Sequence, residues 1–317
     1  MEQDVVLGID IGGTKCAVLL ARLNGEILER RQIYTRASER NPEAVLGELI
    51  GLAAELKKVS PSPIRSIGVV SGGPLDIRRG IICSPPNLPG WDDIHIVSLL
   101  SEELELPVRL ENDANAGALA EWKFGAGVGV NNLIFLTMGT GIGGGLILDG
   151  KICQGANGQA GEVGHQTILP DGPLCSCGKR GCLEALASGP AIARMARESL
   201  LYGRHKRVLS LAGGKLTDIT AEHIINAAKE GDAFAIAILE EAGTYLGIGL
   251  ANLIQILNPE LILLGTLAIH AGDLLLDPVR KAVKEYAWES SYKNCSILPA
   301  ALGDRVQDLA TIAILLD

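Results

Sequence analysis

Three cysteines, Cys175, Cys177 and Cys182, fall within eight positions of one another, and His165 lies ten residues before the first. One imidazole nitrogen and three thiolates complete the four-coordinate shell of a structural Zn²⁺, leaving no open position for a catalytic water. The run Cys-x-Cys-Gly-x-x-Gly-Cys also lets the backbone double back tightly, because Gly178 and Gly181 accept a positive φ. Glu162 and Glu184 flank the cluster, so closing the loop around a metal would fix two carboxylates as well. The competing reading is a set of small buried thiols in a glycine-rich loop. Ligand-type residues this dense at zinc spacing favour the metal.

Two further segments could hold phosphates. Asp10-Ile11-Gly12-Gly13-Thr14-Lys15 and Gly139-Thr140-Gly141-Ile142-Gly143-Gly144-Gly145 each follow an apolar strand-like run. Glycine-rich turns present backbone N–H groups as concave anion sites, and Thr14 and Thr140 add hydroxyl donors. Either alone could be an ordinary hairpin turn; the pair makes the stronger case. Neither is a Walker A loop, since no Gly-Lys-Ser/Thr follows. Asp10 is the natural carboxylate near Mg²⁺, acting through water because Mg²⁺ dehydrates reluctantly.

A candidate base stands in Leu110-Glu111-Asn112-Asp113-Ala114-Asn115-Ala116. Asp113 is placed at a strand-to-helix junction, where a carboxylate on a rigid element can accept a hydroxyl proton. Its alternative role is the helix N-cap, which on the sequence alone carries more weight. Strand alternation sends Glu111 to the opposite side, so it reads as structural.

The elements that must position these groups form a duplicated pattern. Val5–Asp10 reads as a strand, Cys16–Ala21 as a second, and Asn24-Gly25 as a hairpin turn into a third around Glu26–Tyr34. Asn132–Met138, the second glycine turn, Leu146–Leu148, Asp149-Gly150 and Lys151–Cys153 repeat the order. Pro42–Lys58, Ile96–Leu104, Asp113–Phe124, Asp232–Leu257, Gly272–Tyr286 and Arg305–Leu315 read as helices. Arg65–Val70, Val108–Leu110 and Leu261–Leu264 read as strands. Of 317 residues, 47% are hydrophobic and 39 are glycine, which describes a well-buried α/β protein. The net charge of −9 disfavours polyphosphate backbones as partners. No run of 18 uninterrupted apolar residues occurs, so no membrane span is expected. Glu2, Gln3 and Asp4 exclude a positive signal-peptide start, and seven cysteines fit a reducing cytoplasm better than a disulfide framework.

Glu162-Val163-Gly164-His165 and Cys175 to Glu184, with the two glycine turns, resemble the paired signatures of the ROK family of sugar kinases and transcriptional repressors. The resemblance runs from about Val5 to the C-terminus. It implies an actin-like, ribonuclease H-like fold of two α/β lobes with a duplicated βββαβα core. The expected division is 1–118 with 300–317 as the small N-terminal lobe, and 119–299 as the large lobe carrying the zinc loop. The last helix is expected to pack back on the N-terminal lobe.

The resemblance further implies ATP-dependent phosphorylation of a hexose hydroxyl, the 6-OH of glucose or a related sugar, with Asp113 as general base. An N-acetylhexosamine or fructose kinase of the same family, or a sugar-binding regulator without turnover, are the alternatives. Gly73, Asn112, Asp113, Glu162, His165 and Glu184 match sugar contacts. His165 would then serve metal through one nitrogen and a hydroxyl through the other. Asp10, Gly12, Gly13, Thr14, Lys15, Gly139, Thr140, Gly141 and Gly265 match the nucleotide side, and His165, Cys175, Cys177 and Cys182 the zinc site. ATP, Mg²⁺ and a structural Zn²⁺ are the implied cofactors. The expected partners are a small sugar and a nucleotide, with no nucleic acid or membrane, in a cytoplasmic homodimer or homotetramer. Repressors of the family place a DNA-reading module before the first glycine turn, which here begins at Asp10.

Gly72 to Asp76 and Asn87 to Trp91 are expected to be loops on the sugar side, with Trp91 serving packing more than sugar stacking. One departure stands out. Similar kinases usually carry two or three glycines after the strand at 261–264, and this chain has Gly265-Thr266-Leu267-Ala268. A side chain at Thr266 or Leu267 would crowd an adenosine there.

Overall fold

A computed structural model describes residues 3–200 and 206–316. Two five-stranded sheets organise it. In the first, β1 (Val5–Ile11) pairs antiparallel with β2 (Lys15–Arg22), which pairs antiparallel with β3 (Ile27–Tyr34). On its other side β1 runs parallel to β4 (Ile64–Ser71), and β4 parallel to β7 (Val108–Asn112). The strand order is β3-β2-β1-β4-β7, with β5 (Leu75–Asp76) and β6 (Ile81–Ile82) forming a small separate hairpin. Burial on both faces explains why Val5-Val6-Leu7-Gly8-Ile9 is a continuous apolar run.

The second sheet repeats this plan. It contains β8 (Leu133–Met138), β9 (Ile142–Leu148), β10 (Lys151–Ile152), β11 (Leu261–Leu264) and β12 (Ser296–Pro299), in the order β10-β9-β8-β11-β12. Again β9 and β10 are antiparallel, while β8, β11 and β12 run parallel. Strand for strand, this is the duplicated core of an actin-like fold.

The first sheet is accompanied by α1 (Pro42–Val59), α2 (Ile96–Leu104), α3 (Asp113–Phe124) and the last helix of the chain. Asn41 caps α1 by accepting from the Ala44 N–H, with proline at the first helical position. Trp91 is fully buried in this core, as a packing residue should be. The second region holds α4 (Leu183–Ala187), α5 (Gly189–Leu200), α6 (Lys206–Leu211), α7 (Ala221–Lys229), α8 (Ala233–Leu257), α9 (Leu267–Ala271), α10 (Asp273–Tyr286) and α11 (Glu289–Tyr292). By length and composition α8 could cross a membrane, yet half of its apolar window is buried against protein and it carries Glu240 and Glu241. The last helix, α12 (Val306–Ala313), packs on β1, β4 and α3, where the sequence led us to expect it.

Contacts divide the chain into Met1–Gly129 with Gly145–Ala160 and Asp304–Asp317 (unit 1), and Val130–Gly144 with Gly161–Gly303 (unit 2). This differs from a boundary at 118/119, which would cut the unbroken helix α3. It also differs in assigning residues 145–160 to the first unit, and the reason is packing. A Cβ on Gly145 would lie 2.5 Å from both the Ala114 carbonyl oxygen and the Ala118 Cβ of α3. Only glycine allows helix and strand to approach so closely. The same packing corrects the expected start of β9. The strand begins at Ile142 instead of Leu146, so Gly143, Gly144 and Gly145 belong to it and the turn shrinks to Gly139-Thr140-Gly141.

Candidate active site and metal centre

Unit 1 gathers the candidate base and the first glycine turn. Asp10 lies near the end of β1, and Gly12-Gly13-Thr14 carry the chain into β2. The Gly12 N–H donates to the Lys15 carbonyl (3.1 Å), and the Thr35 hydroxyl donates to the Gly12 carbonyl (2.6 Å). Those bonds fix the turn's shape without using the Gly13 and Thr14 amides, which donate to no protein acceptor among the described residues. The turn is therefore a ready anion cradle. Lys15 contributes its carbonyl to closing the turn, and its ammonium lies 5.9 Å from the Tyr34 ring centre.

At the β7–α3 junction the capping residue is Asn112. Its backbone is extended (φ −69°, ψ 145°), and its Oδ1 accepts from the Ala114 N–H at 2.9 Å. Asp113 is the first residue of α3 proper. Its carboxylate is therefore not the one that caps the helix, contrary to the reading weighted more heavily from sequence alone. A Cβ on Gly72 would sit 3.8 Å from Asp113 Oδ2 and 3.5 Å from the Asn87 side-chain amide. A Cβ on Gly73 would sit 3.2 Å from Asn112 Nδ2. The Gly72-Gly73 backbone thus borders the Asn-Asp pair, with Asn87 alongside.

Electrostatics tie Asp10 to Asp113. Burial, then the nearby carboxylates of Asp308 and Asp113, push Asp10 from 3.8 up to about 7, against a smaller pull from Arg30. Arg30 itself grips Asp308 of α12 at 3.0 and 3.1 Å. Glu111 behaves as expected of a structural residue. It is buried, and accepts from the Asn112 N–H (2.9 Å), Asn115 Nδ2 (3.0 Å) and Gln154 Nε2 (2.6 Å).

Unit 2 carries the second turn and the cysteine loop. The Gly139 N–H donates to the Gly141 carbonyl (3.0 Å), and the Thr137 hydroxyl accepts from the Gly143 N–H (3.2 Å). The loop from Cys175 to Cys182 is a tight double-back in which the Cys175 N–H meets the Lys179 carbonyl at 2.8 Å. Gly178 (φ 81°) and Gly181 (φ 66°) both adopt the positive φ their spacing implied. The ligand atoms of His165, Cys175, Cys177 and Cys182 lie within 4.8 Å of one another. Cys177 and Cys182 sulfurs are 3.7 Å apart, and Cys175 Sγ is 3.7 Å from His165 Nδ1. Tetrahedral thiolates about 2.3 Å from Zn²⁺ stand about 3.8 Å apart. The four donors therefore fit a structural zinc. With Nδ1 toward Cys175 Sγ, His165 turns Nε2 to within 3.8 Å of Glu162 Oε2.

A family model described as the ROK family matches residues 6–314. The chain belongs to the ROK family. It is 36% identical over 307 residues to a glucokinase of Halalkalibacterium halodurans, covering 96% of this chain and 92% of that protein. It is 34% identical to the xylose repressor of Caldicellulosiruptor bescii, covering all of this chain and 79% of the repressor. Among solved structures, a ROK family glucokinase from Streptomyces griseus in complex with glucose and AMPPNP is 32% identical, with a TM-score of 0.81 and 98% of both chains covered.

Two features of this ROK chain bear on the nucleotide side. Gly265 is held by its N–H to the Leu136 carbonyl (2.8 Å), while Leu267 is buried and opens α9. Of the two side chains expected to crowd a nucleotide, Leu267 is therefore turned into the protein and Thr266 is exposed. Thr266 has φ 22°, unusual for a β-branched residue. The sequence reading missed Asp308 and Arg30, which belong to no motif; α12 brings Asp308 back toward Asp10, and Arg30 comes from β3. It also gave Ser176 no part, although its hydroxyl donates to Glu184 Oε1 at 2.9 Å.

Proposed function

We propose that this ROK protein transfers the γ-phosphoryl group of ATP to a hydroxyl of a hexose, the 6-OH of glucose or a close relative, with Asp113 as general base. The observation that carries this reading is the division of roles at the β7–α3 junction. Asn112 satisfies the helix end, so the Asp113 carboxylate is held on a rigid element without being consumed as a cap. The likeness to glucokinases over nearly the full chain supports the substrate class.

In this mechanism Gly73, Asn112, Asp113, Glu162, His165 and Glu184 recognise the sugar hydroxyls. Asn112 keeps its Nδ2 amino group for donation, since its oxygen is engaged at the helix end. Asp113 accepts the hydroxyl proton as the oxygen attacks phosphorus. The amides of Gly13 and Thr14, and the Gly139-Thr140-Gly141 turn, hold phosphate oxygens. Mg²⁺ supplies neutralisation of the charge that builds on the transferring group, and Asp10 is the residue that would hold it through water. Lys15 adds positive charge beside the first turn, and Gly265 gives adenosine a flat approach. His165, Cys175, Cys177 and Cys182 hold a structural zinc. The protein acts on small molecules in the cytoplasm, as a homodimer or homotetramer, with no nucleic acid or membrane partner.

A sugar-responsive binder without turnover is the second reading, favoured by the likeness to the xylose repressor and by the side chain at Thr266. A coupled ADP-release assay with ATP and Mg²⁺ across hexoses and N-acetylhexosamines separates the two. Turnover with one sugar is expected. Sugar-dependent thermal stabilisation without ADP release from any of them would overturn the kinase reading in favour of the binder.

A further inference from the structure

We infer that the metal loop positions the Gly139-Thr140-Gly141 turn through Ser176 and Glu184, so that metal occupancy is read out as nucleotide affinity. The inference rests on the reading of that turn as a nucleotide-phosphate site.

The connection is a short series of bonds inside unit 2. Cys182, a candidate zinc ligand, immediately precedes α4, and Glu184 is the second residue of that helix. Glu184 uses its two oxygens in opposite directions. Oε2 accepts from the N–H of Ile142, the residue that ends the glycine turn, at 3.1 Å. Oε1 accepts from the Ser176 hydroxyl at 2.9 Å, between the ligands Cys175 and Cys177, and Cys175 Sγ lies 3.7 Å from the same oxygen. Beyond α4, the Gly189 N–H donates to the Gly139 carbonyl at 2.9 Å. The turn is thus held at both ends by one segment, 184–189, whose start is anchored at Cys182. The Leu183 N–H adds a bond to the Gln166 carbonyl (3.0 Å), next to His165.

Close fit makes the contact specific. A Cβ on Gly141 would lie 2.5 Å from Glu184 Oε2, so the turn closes directly onto this carboxylate. A bound metal fixes the backbone on both sides of Ser176, and Ser176 fixes the rotamer of Glu184. Phosphate affinity depends on amides held in place before the ligand arrives. Loss of either anchor leaves the Ile142 end of the turn free to move. Glu184 and Ser176 are positioning residues in this role, and Ser176 is exposed, so its substitution does not disturb a core.

The test compares wild type, Ser176→Ala and Ser176→Thr, and chelated wild type. For each, metal content is measured, and AMPPNP and glucose are titrated separately by calorimetry. Ser176→Ala is expected to keep its metal and to bind AMPPNP about three- to tenfold more weakly, the worth of one ordinary hydrogen bond, whatever the change at glucose, which Glu184 also contacts. Ser176→Thr, which restores the hydroxyl, is expected to recover wild-type affinity, and chelation to weaken AMPPNP at least as much as Ser176→Ala. Unchanged AMPPNP affinity in a Ser176→Ala protein that has kept its metal overturns the coupling while leaving the kinase reading intact. Failure of wild type to bind AMPPNP at all overturns both.

Discussion

Adjacent residues of similar chemistry take separate jobs at Asn112 and Asp113, because a helix has one capping position and the residue after it faces elsewhere. Replacing Asn112 with Ala removes the bond to the Ala114 N–H and is expected to cost about 1 kcal/mol of stability, measured by urea denaturation. Asp10 makes a different prediction. Its carboxyl is raised from 3.8 to about 7 in the folded chain, so between those pH values the folded state holds a proton that the unfolded state has released. Stability therefore declines as pH rises from about 4 to about 7, and the full penalty persists above that window. Asp10→Asn is expected to be more stable than wild type at pH 8 by about 4 kcal/mol, with the difference vanishing near pH 4. Denaturation at the two pH values checks this, and a difference that is constant with pH would contradict it. Thr266 pays for its φ of 22° with local strain. Thr266→Gly is expected to gain about 1 kcal/mol and to lower KM for ATP with KM for sugar unchanged.

Elements show how much a sequence can disclose. Both glycine turns, the strands before them and the repeated hairpin were readable because apolar runs and Asn-Gly or Asp-Gly pairs act locally. So were the positive-φ glycines of the cysteine loop, since the ligand spacing itself demands a tight reversal. The start of β9 was not readable. Gly143 to Gly145 look like a phosphate loop in sequence, whereas Gly145 is glycine because α3 presses against that strand. The cap at α3 was ambiguous because Asn and Asp are both good caps and helix starts shift by a residue. Asp308 was invisible, since its contribution to the Asp10 environment comes from a helix almost 300 residues away in sequence. Ser176 was hidden for a related reason: a hydroxyl between two cysteines has meaning only once Glu184 is seen beside it.

The whole molecule duplicates one sheet plan and gives each copy a glycine turn with different support. The first turn is closed by its own backbone and by Thr35, while the second leans on the metal loop through Glu184 and Gly189. Unequal support predicts unequal sensitivity. Chelation is expected to lower the melting temperature by several degrees, because a structural zinc contributes folding free energy directly. Equal thermal stability before and after complete metal removal would contradict the structural role. The most direct test of the central claim pairs turnover with binding in Asp113→Asn. The account predicts that ADP release falls by at least about a hundredfold, the range for loss of a general base, while glucose still stabilises the folded protein. Turnover within about threefold of wild type would contradict it, whatever the sugar affinity.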